Sequence, residues 1–249
     1  MRLLTWNLNG LDPTDVDERT EVAVFTAMVG ATLDRIAAGA KPWNPPDVLC
    51  FQEVTAHTFR AHVQPHLQAG GYTVLPDSAP ERQTFEVIGV RSPYVATAHF
   101  EGPLVDSVFG RVLHIVDLAG PIGEVRIATA HFDSGTESGP TRQAQLRQVM
   151  EEMGDRGVFG GDANFRKSEW LDIKSTTEVT DAWEAVGEPA STRFTWFMDT
   201  MKARFDRVWV GPAFRAVSML PVGEKVIASI GSRPSDHIGL LVSLAPATE

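Results

Sequence analysis

The sequence of 249 residues predicts an α/β protein in which two β-sheets pack face to face with helices outside. Short apolar runs with period-two alternation dominate the middle of the chain, and only three or four helical stretches lie among them. The order matches neither the regular alternation of a doubly wound sheet nor an all-β pattern. The length suits one large sandwich, and no repeat, low-complexity tract or linker divides it, so a single domain over 1–249 is expected.

In chain order, RLLTWNLN (2–9) reads as a strand and GLDPTDVDER as an acidic loop. TEVAVFTAMVGATLDRIAAG (20–39) has helical spacing and stops at Gly39, and KPWNPPD is a rigid connector. VLCFQEV (48–54) is nearly all apolar, as in a buried strand, and a helix over 56–68 stops at Gly70 and Gly71. Five strand candidates follow: YTVLP, FEVIGVRS, VATAHFE, RVLHIVDL and EVRIATAHF. In the last, alternation puts Val125, Ile127, Thr129 and His131 on one face. TRQAQLRQVMEEM (141–153) reads as a helix with Arg142 and Arg147 on its surface, and GVFGGDANF (157–165) as a strand ending in a tight turn. ARFDRVWVG (203–211), FRAVSMLPV and HIGLLVSL supply the last strands.

The net charge of −10 disfavours extended binding along duplex DNA, leaving room for a small basic cluster or a metal that screens phosphate. The one cysteine, Cys50, allows no intrachain disulfide and reads as a packed core thiol. No signal-like or membrane-length apolar segment is present, so a cytoplasmic protein without membrane contact is expected, with monomer as the default state.

Polar residues punctuate the strand ends, where a scaffold holds side chains rigidly near a common rim. They are Asn7 and Asn9, Glu53, His131 and Asp133, Asp162 and Asn164, Asp206 and Arg207, and Asp236 and His237. Carboxylates and amides without cysteine suit a hard cation such as Mg²⁺, and histidines beside them can donate to phosphate oxygens. Hydrolysis of a phosphoester needs this combination. Plainer readings stand beside it: Asp236-His237 as a turn, Asp206-Arg207 as a structural pair, Trp6 and Phe51 as core, and a basic side chain rather than a cation beside Glu53. His62 and His66 have metal-pair spacing, but Pro65 and the lack of an intervening Glu make them a decoy. The acidic run Asp12, Asp15, Asp17, Glu18 reads as a solvated loop, with a second cation site as the weaker alternative.

The ordered set TWNLNG, FQEV, AHFDS, GGDANF, RFDRVWV and SDHIGL resembles the endonuclease/exonuclease/phosphatase (deoxyribonuclease I-like) superfamily across nearly the whole chain. TWNLNGLD, TRQAQLRQV after HFDS, GGDANFR, DAWEAVGEP and PSDHIGLL are most similar to its 5′-tyrosyl-DNA phosphodiesterase branch. Asn9 and Asp133 depart from acidic and glutamate positions of that branch, and TWFMDT is longer than its counterpart. The resemblance implies a four-layer α-β-β-α sandwich of two mostly antiparallel sheets, forming one catalytic domain. It also implies a Mg²⁺-dependent phosphodiesterase, with Mn²⁺ as the alternative metal, acting on a phosphotyrosyl bond at a DNA 5′ end in repair. In that reading Glu53 binds the metal, with Asn7 and Asp236 as further ligands. Asp162 activates water, Asn164 holds the geometry, His131 and His237 donate to phosphate, and Asp206 and Asp236 orient the imidazoles. Arg166, Trp196 and Asn9 would contact substrate, Trp196 by stacking unless it belongs to the core. A tyrosine phenolate, with a conjugate-acid pKa of about 10, leaves more easily than a sugar alkoxide. The alternatives are a DNA endo- or exonuclease, a small-molecule phosphatase, and a non-catalytic phosphate-binding module.

Overall fold

A computed structural model describes residues 1–30 and 44–247, and among these the period-two runs form two six-stranded sheets and a short hairpin. One sheet holds β1 (Arg2–Asn7), β2 (Val48–Val54), β3 (Tyr72–Leu75), β4 (Phe85–Arg91), β13 (Phe214–Val222) and β14 (Gly239–Pro246), in the order β13-β14-β1-β2-β4-β3. The other holds β5 (Val95–Pro103), β6 (Val112–Gly120), β7 (Gly123–Ala130), β8 (Gly157–Asp162), β9 (Thr180–Asp181) and β12 (Asp206–Val210), in the order β5-β6-β7-β8-β12-β9. β10 (Trp196–Met198) and β11 (Met201–Ala203) make the hairpin. Each sheet has one parallel pair, β1–β2 and β7–β8, and its other pairs are antiparallel.

Alternation along the strands sorts the side chains into three apolar layers. Leu3, Val48, Cys50, Ile88, Val116, Ile127, Val158, Val208 and Val242 fill the space between the sheets. Leu4, Trp6, Leu49 and Phe51 on the outer face of the first sheet meet Ala23, Val24, Phe59, Val63 and Leu67 from helices. On the far side Ile115, Ala128, Phe159 and Trp209 meet Leu146, Val149 and Trp170. The molecule is thus the expected four-layer α-β-β-α sandwich. Cys50 is buried, and burial pushes its thiol pKa up, as expected of a packed thiol.

Several element boundaries differ from the sequence reading. The first helix spans Val16–Val29, four residues earlier than expected, and ends where Gly30 takes φ 74° and its N–H bonds to Thr26 O. The rest of the expected 20–39 helix, and residues 41–43 of the KPWNPPD connector, lie outside the described residues. Asp17 and Glu18 therefore sit in a helical first turn rather than a loop. The helix expected over 56–68 runs as Ala56–Thr58, a widened turn Phe59–Val63, and Gln64–Ala69. The widened turn precedes Pro65, which has no amide hydrogen to give the helical ladder. The expected 203–211 strand breaks at Arg204-Phe205 into β11 and β12.

Arg142 is not a surface residue. It is fully buried in the helix Gly139–Met153, where Nε and Nη2 donate to Glu169 at 3.0 and 2.6 Å. Its Nη1 donates to the carbonyls of Asp133 and Gly135, both at 2.8 Å. Arg207 pairs with Asp181 at 2.8 Å rather than with its neighbour Asp206, and also donates to Phe165 O. Among the described residues no helix is long and apolar enough to cross a membrane.

Candidate active site

β1, β2, β8 and β12 deliver polar residues to one rim. Asp162 and Asp206 face each other in the β8–β12 register, and His131 bridges to Asp162 just beyond the parallel β7–β8 pair. Close approach of β7 and β8 requires Gly161, where a Cβ would strike the carbonyl of Ala130. From the other sheet, Asn7 ends β1, and its Nδ2 donates to Asp162 Oδ2 at 2.9 Å. That bond joins the two sheets directly at the rim.

Asp162 is anchored at both oxygens. Oδ1 accepts from Asn164 N at 3.0 Å, while Oδ2 also lies 3.3 Å from His131 Nε2 and 3.7 Å from His237 Nε2. Asn164 adopts φ 51° and gives its side-chain amide to Phe132 O at 3.1 Å, which locks the GDAN turn.

Glu53 reaches the rim through a β-bulge: the β2–β4 register shifts between Phe51 and Val54, and Glu53 itself has φ 55°. Gly10 packs against its carbonyl so closely that a Cβ there would collide. Glu53 Oε1 is 3.3 Å from His131 Nδ1. Burial raises the Glu53 pKa and the Asp162 charge adds to the rise, while Asn7, His237 and Arg111 pull it back.

The two histidines are driven apart. His237 Nδ1 donates to Asp206 Oδ2 at 2.8 Å. Burial opposes its charge, but Asp206, Asp162 and Asp236 outweigh that and push its pKa up to about 10. His237 is therefore an imidazolium at neutral pH. For His131 burial wins over the pull of Asp162, with Arg111 and His237 assisting, and its pKa falls to about 3. Its Nδ1 is buried without a hydrogen-bond partner.

The Asp-His segment is pinned from three sides. Ser235 Oγ donates to Asn7 O at 2.7 Å and accepts from His237 N at 3.0 Å, and Trp6 Nε1 donates to His237 O at 3.0 Å. Trp6 is core, as expected, and also positions the site. Beneath the rim, Gln52 donates to Thr5 and Thr129 across the interior, at 3.1 and 2.9 Å.

Asn7, Glu53, His131, Asp162, Asn164, Asp206 and His237 are therefore brought together. Asp236 is directed elsewhere: its Oδ2 accepts from Trp196 Nε1 at 2.9 Å and braces that indole, and the hydrogen bond to the His237 ring comes from Asp206 instead. Trp196 packs on Phe205 with centroids 5.2 Å apart and is half-buried. Asn9 takes φ 51° and donates its backbone N–H to Asn7 Oδ1 at 2.9 Å, a supporting contact. Arg166 lies 3.5 Å from Glu169 and 5.8 Å from the Phe205 centroid, on the wall of a cavity. Asp133 is not at the rim's reacting groups. It accepts from Ser107 Oγ, Val108 N and Gln145 Nε2, fixing the loop that precedes Arg111. Arg111, whose charge lowers the pKa of Glu53 and His131, and Ser235, which ties Asn7 to His237, are candidate site residues that sequence reading missed. The doubled use of Ser235 left no signal beyond its place in PSDH; Arg111 lies in a loop, FGRV, with no motif at all.

Asp162, Asp206 and His237 place candidate ligand atoms within 4.8 Å of one another. His237 Nδ1 is already engaged with Asp206 Oδ2 at 2.8 Å, however, so that cluster is first of all an imidazole held by a carboxylate. Glu53 and Asn7 offer oxygens beside the desolvated, mutually repelling carboxylates of Glu53 and Asp162. That donor set fits a hard divalent cation. The His62–His66 pair is engaged otherwise: His57 and His62 both bond Asp17 Oδ1, at 2.7 and 2.8 Å, and His66 Nδ1 bonds His62 O.

A rim of strand-end carboxylates, amides and histidines on a four-layer sandwich describes a class of phosphoester-cleaving proteins, and residues 4–237 match its family model. The chain belongs to the Endonuclease/Exonuclease/phosphatase family. Within it, Tyrosyl-DNA phosphodiesterase 2 of Gallus gallus is 28% identical over 267 residues, covering 96% of this chain and 65% of that protein. The 5′-tyrosyl-DNA phosphodiesterase of Caenorhabditis elegans is 28% identical over 257 residues, covering 94% and 64%. This chain thus spans just under two thirds of the length of these relatives. The solved structure of truncated C. elegans TDP2 superposes with TM-score 0.77 at 25% identity, covering 99% of this chain and 97% of that one. D. rerio TDP2 complexed with single strand DNA product gives TM-score 0.80 at 20% identity, covering 98% of each, and shares the fold.

Proposed function

We propose that the chain is a metal-dependent phosphodiesterase that hydrolyses the phosphotyrosyl bond at a DNA 5′ end. The observation that carries this reading is Asp162, a carboxylate anchored at both oxygens, standing 3.7 Å from the charged ring of His237. One group is built to accept a proton from water and the other to donate to a phosphate oxygen, side by side. Relatives named tyrosyl-DNA phosphodiesterases, matched along nearly the whole chain, supply the substrate class.

A divalent cation held by Glu53 and Asn7, with Mg²⁺ the best fit to their oxygens and Mn²⁺ the alternative, would neutralise charge on the phosphate when bound. Asn7 and Asn164 fix Asp162, which orients the attacking water and takes its proton. His237 donates through Nε2 to a non-bridging oxygen, while Asp206 holds Nδ1 and keeps the ring charged. His131, neutral, has one N–H to give. The phenolate departs with little need for protonation, since its conjugate acid has a pKa of about 10.

A cavity of about 610 Å³ is lined by residues that directly follow Asn164 and directly precede Asp206, namely Phe165, Arg166, Arg204 and Phe205. Lys167, Arg193, Trp183 and Phe194 complete its cationic and aromatic character. Such a lining suits stacked bases and phosphates, and it supplies local positive charge on a chain of net charge −10. We take the chain to act as a single catalytic domain, monomeric and intracellular.

The test is a panel assay with Mg²⁺ on a 5′-phosphotyrosyl oligonucleotide, a 3′-phosphotyrosyl one, an abasic duplex, plain single-stranded DNA and an inositol phosphate. Cleavage of the first, lost with EDTA and in D162N, is expected. Preference for the abasic duplex or plain DNA makes the chain a nuclease, preference for the inositol phosphate a phosphatase. Full activity in D162N or with EDTA refutes the mechanism, and no cleavage of any substrate leaves a phosphate-binding module.

A further inference from the structure

We propose that His99, Glu101 and His114 form a second cation site on the β5–β6 ribbon, with the donor set of a zinc-type metal. None of the three takes part in the hydrolytic rim. In the antiparallel register Glu101 stands directly opposite His114, and His99 lies two residues before Glu101 on the same face. One ring nitrogen of each histidine and a carboxylate oxygen of Glu101 lie within 4.8 Å of one another. The two rings are 4.6 Å apart at their centroids and tilted by 52°.

The hydrogen bonding of His114 points to a ligand. The residue is 1% exposed. Its Nδ1 faces the carbonyl of Glu86 at 3.3 Å, and a carbonyl can only accept, so the ring proton resides on Nδ1. Nε2 then carries a bare lone pair, and it is buried without a hydrogen-bond partner. A metal-bound histidine has this arrangement: the distal N–H is given to a carbonyl and the other nitrogen is presented to the ion. Glu101 is similarly half-engaged. Arg82 Nη2 holds its Oε2 at 2.6 Å, which leaves Oε1 as the available donor. His99 is exposed and provides the route of entry.

Two imidazoles and one carboxylate make the three-ligand set that zinc accepts with a fourth position open to water. Mg²⁺ prefers an oxygen shell, so the ribbon and the rim select different ions. Bound metal would clip β5, an edge strand carrying exposed Val95 and Phe100, to its neighbour β6.

The test is calorimetric titration of the chelator-stripped full chain with Zn²⁺ in excess Mg²⁺, which occupies the oxygen-rich rim. One Zn²⁺ per chain is expected. Its affinity should fall at least ten-fold in H99Q and in E101Q and stay unchanged in H57Q/H62Q, which removes the other histidine cluster. His99 is exposed and E101Q retains an oxygen for Arg82, so both variants keep the fold, as circular dichroism will verify. Co²⁺ in place of Zn²⁺ should give the visible absorption of a four-coordinate ion in the parent and not in H99Q. Absence of bound Zn²⁺, parental affinity in H99Q or E101Q, or loss of binding in H57Q/H62Q overturns the assignment.

Discussion

Replacing Asp206 with Asn tests whether that carboxylate keeps His237 charged. The substitution preserves shape and leaves an oxygen to accept from Nδ1, but it removes the nearest negative charge. At the 2.8 Å separation and an effective dielectric of about 20, the lost attraction is about 6 kcal/mol, or roughly four pKa units. His237 in the parent titrates at about 10, so its ring in D206N should deprotonate near or below neutrality. The sign of the stability effect follows. A folded pKa above the ordinary 6.5 contributes stability that is complete below 6.5 and is lost as pH rises through about 10. D206N should lack that dependence. The assay is a pH–rate profile for a 5′-phosphotyrosyl oligonucleotide, with the His237 ring resonances followed by NMR across the same range. The alkaline limb near 10 should move down by about four units. An unmoved limb, or a His237 ring that stays protonated at pH 8 in D206N, would refute the assignment of Asp206 as its counter-charge.

Removing the carboxylate in E53Q should lower kcat by roughly a hundred-fold or more, the scale of one lost electrostatic contact at a reacting centre, and weaken Mg²⁺ binding measured by calorimetry while thermal stability holds or rises. Glu86 is buried, and burial lifts its pKa from 4.5 to about 7. The stability this proton contributes is full below 4.5 and is lost as pH climbs through 7, so E86Q should gain about 3 kcal/mol over the parent at pH 8 and almost nothing at pH 4, by denaturant melts. Truncation in R142A strands Glu169 and the two backbone carbonyls of Asp133 and Gly135, and should cost about 3–5 kcal/mol in the same melts, whereas E169Q should cost less because the amide oxygen still accepts.

Much of the rim was legible because a polar residue ending an apolar strand is conspicuous. Asn7, His131, Asp162, Asp206 and His237 flank strand ends, and ordinary strand geometry carries them to one edge, whereas Glu53 reaches it through a bulge. Partner choice was not legible. Asp236 looked equivalent to Asp206, yet one binds an indole and the other an imidazole, and the difference depends on a hairpin, β10–β11, whose three-residue strands have too little alternation to detect. Arg142 reads as a solvated helix residue because charge alone predicts exposure. Only the later helix Lys167–Ile173 supplies Glu169 to bury it. Arg111 is set by the loop that Asp133 anchors, so its place depends on contacts more than twenty residues away. The bulge at Glu53 had no glycine of its own to mark it, the accommodating glycine being Gly10 on another segment.

The hydrogen bond from Asn7 to Asp162 has a consequence for how activity begins and ends. Its two partners sit on separate six-stranded halves, so neither half alone owns a working centre. On the proposed activity, hydrolysis would switch on when the halves dock and vanish when they part. Turnover of the proposed substrate would then serve as a direct gauge of whether the sandwich is closed.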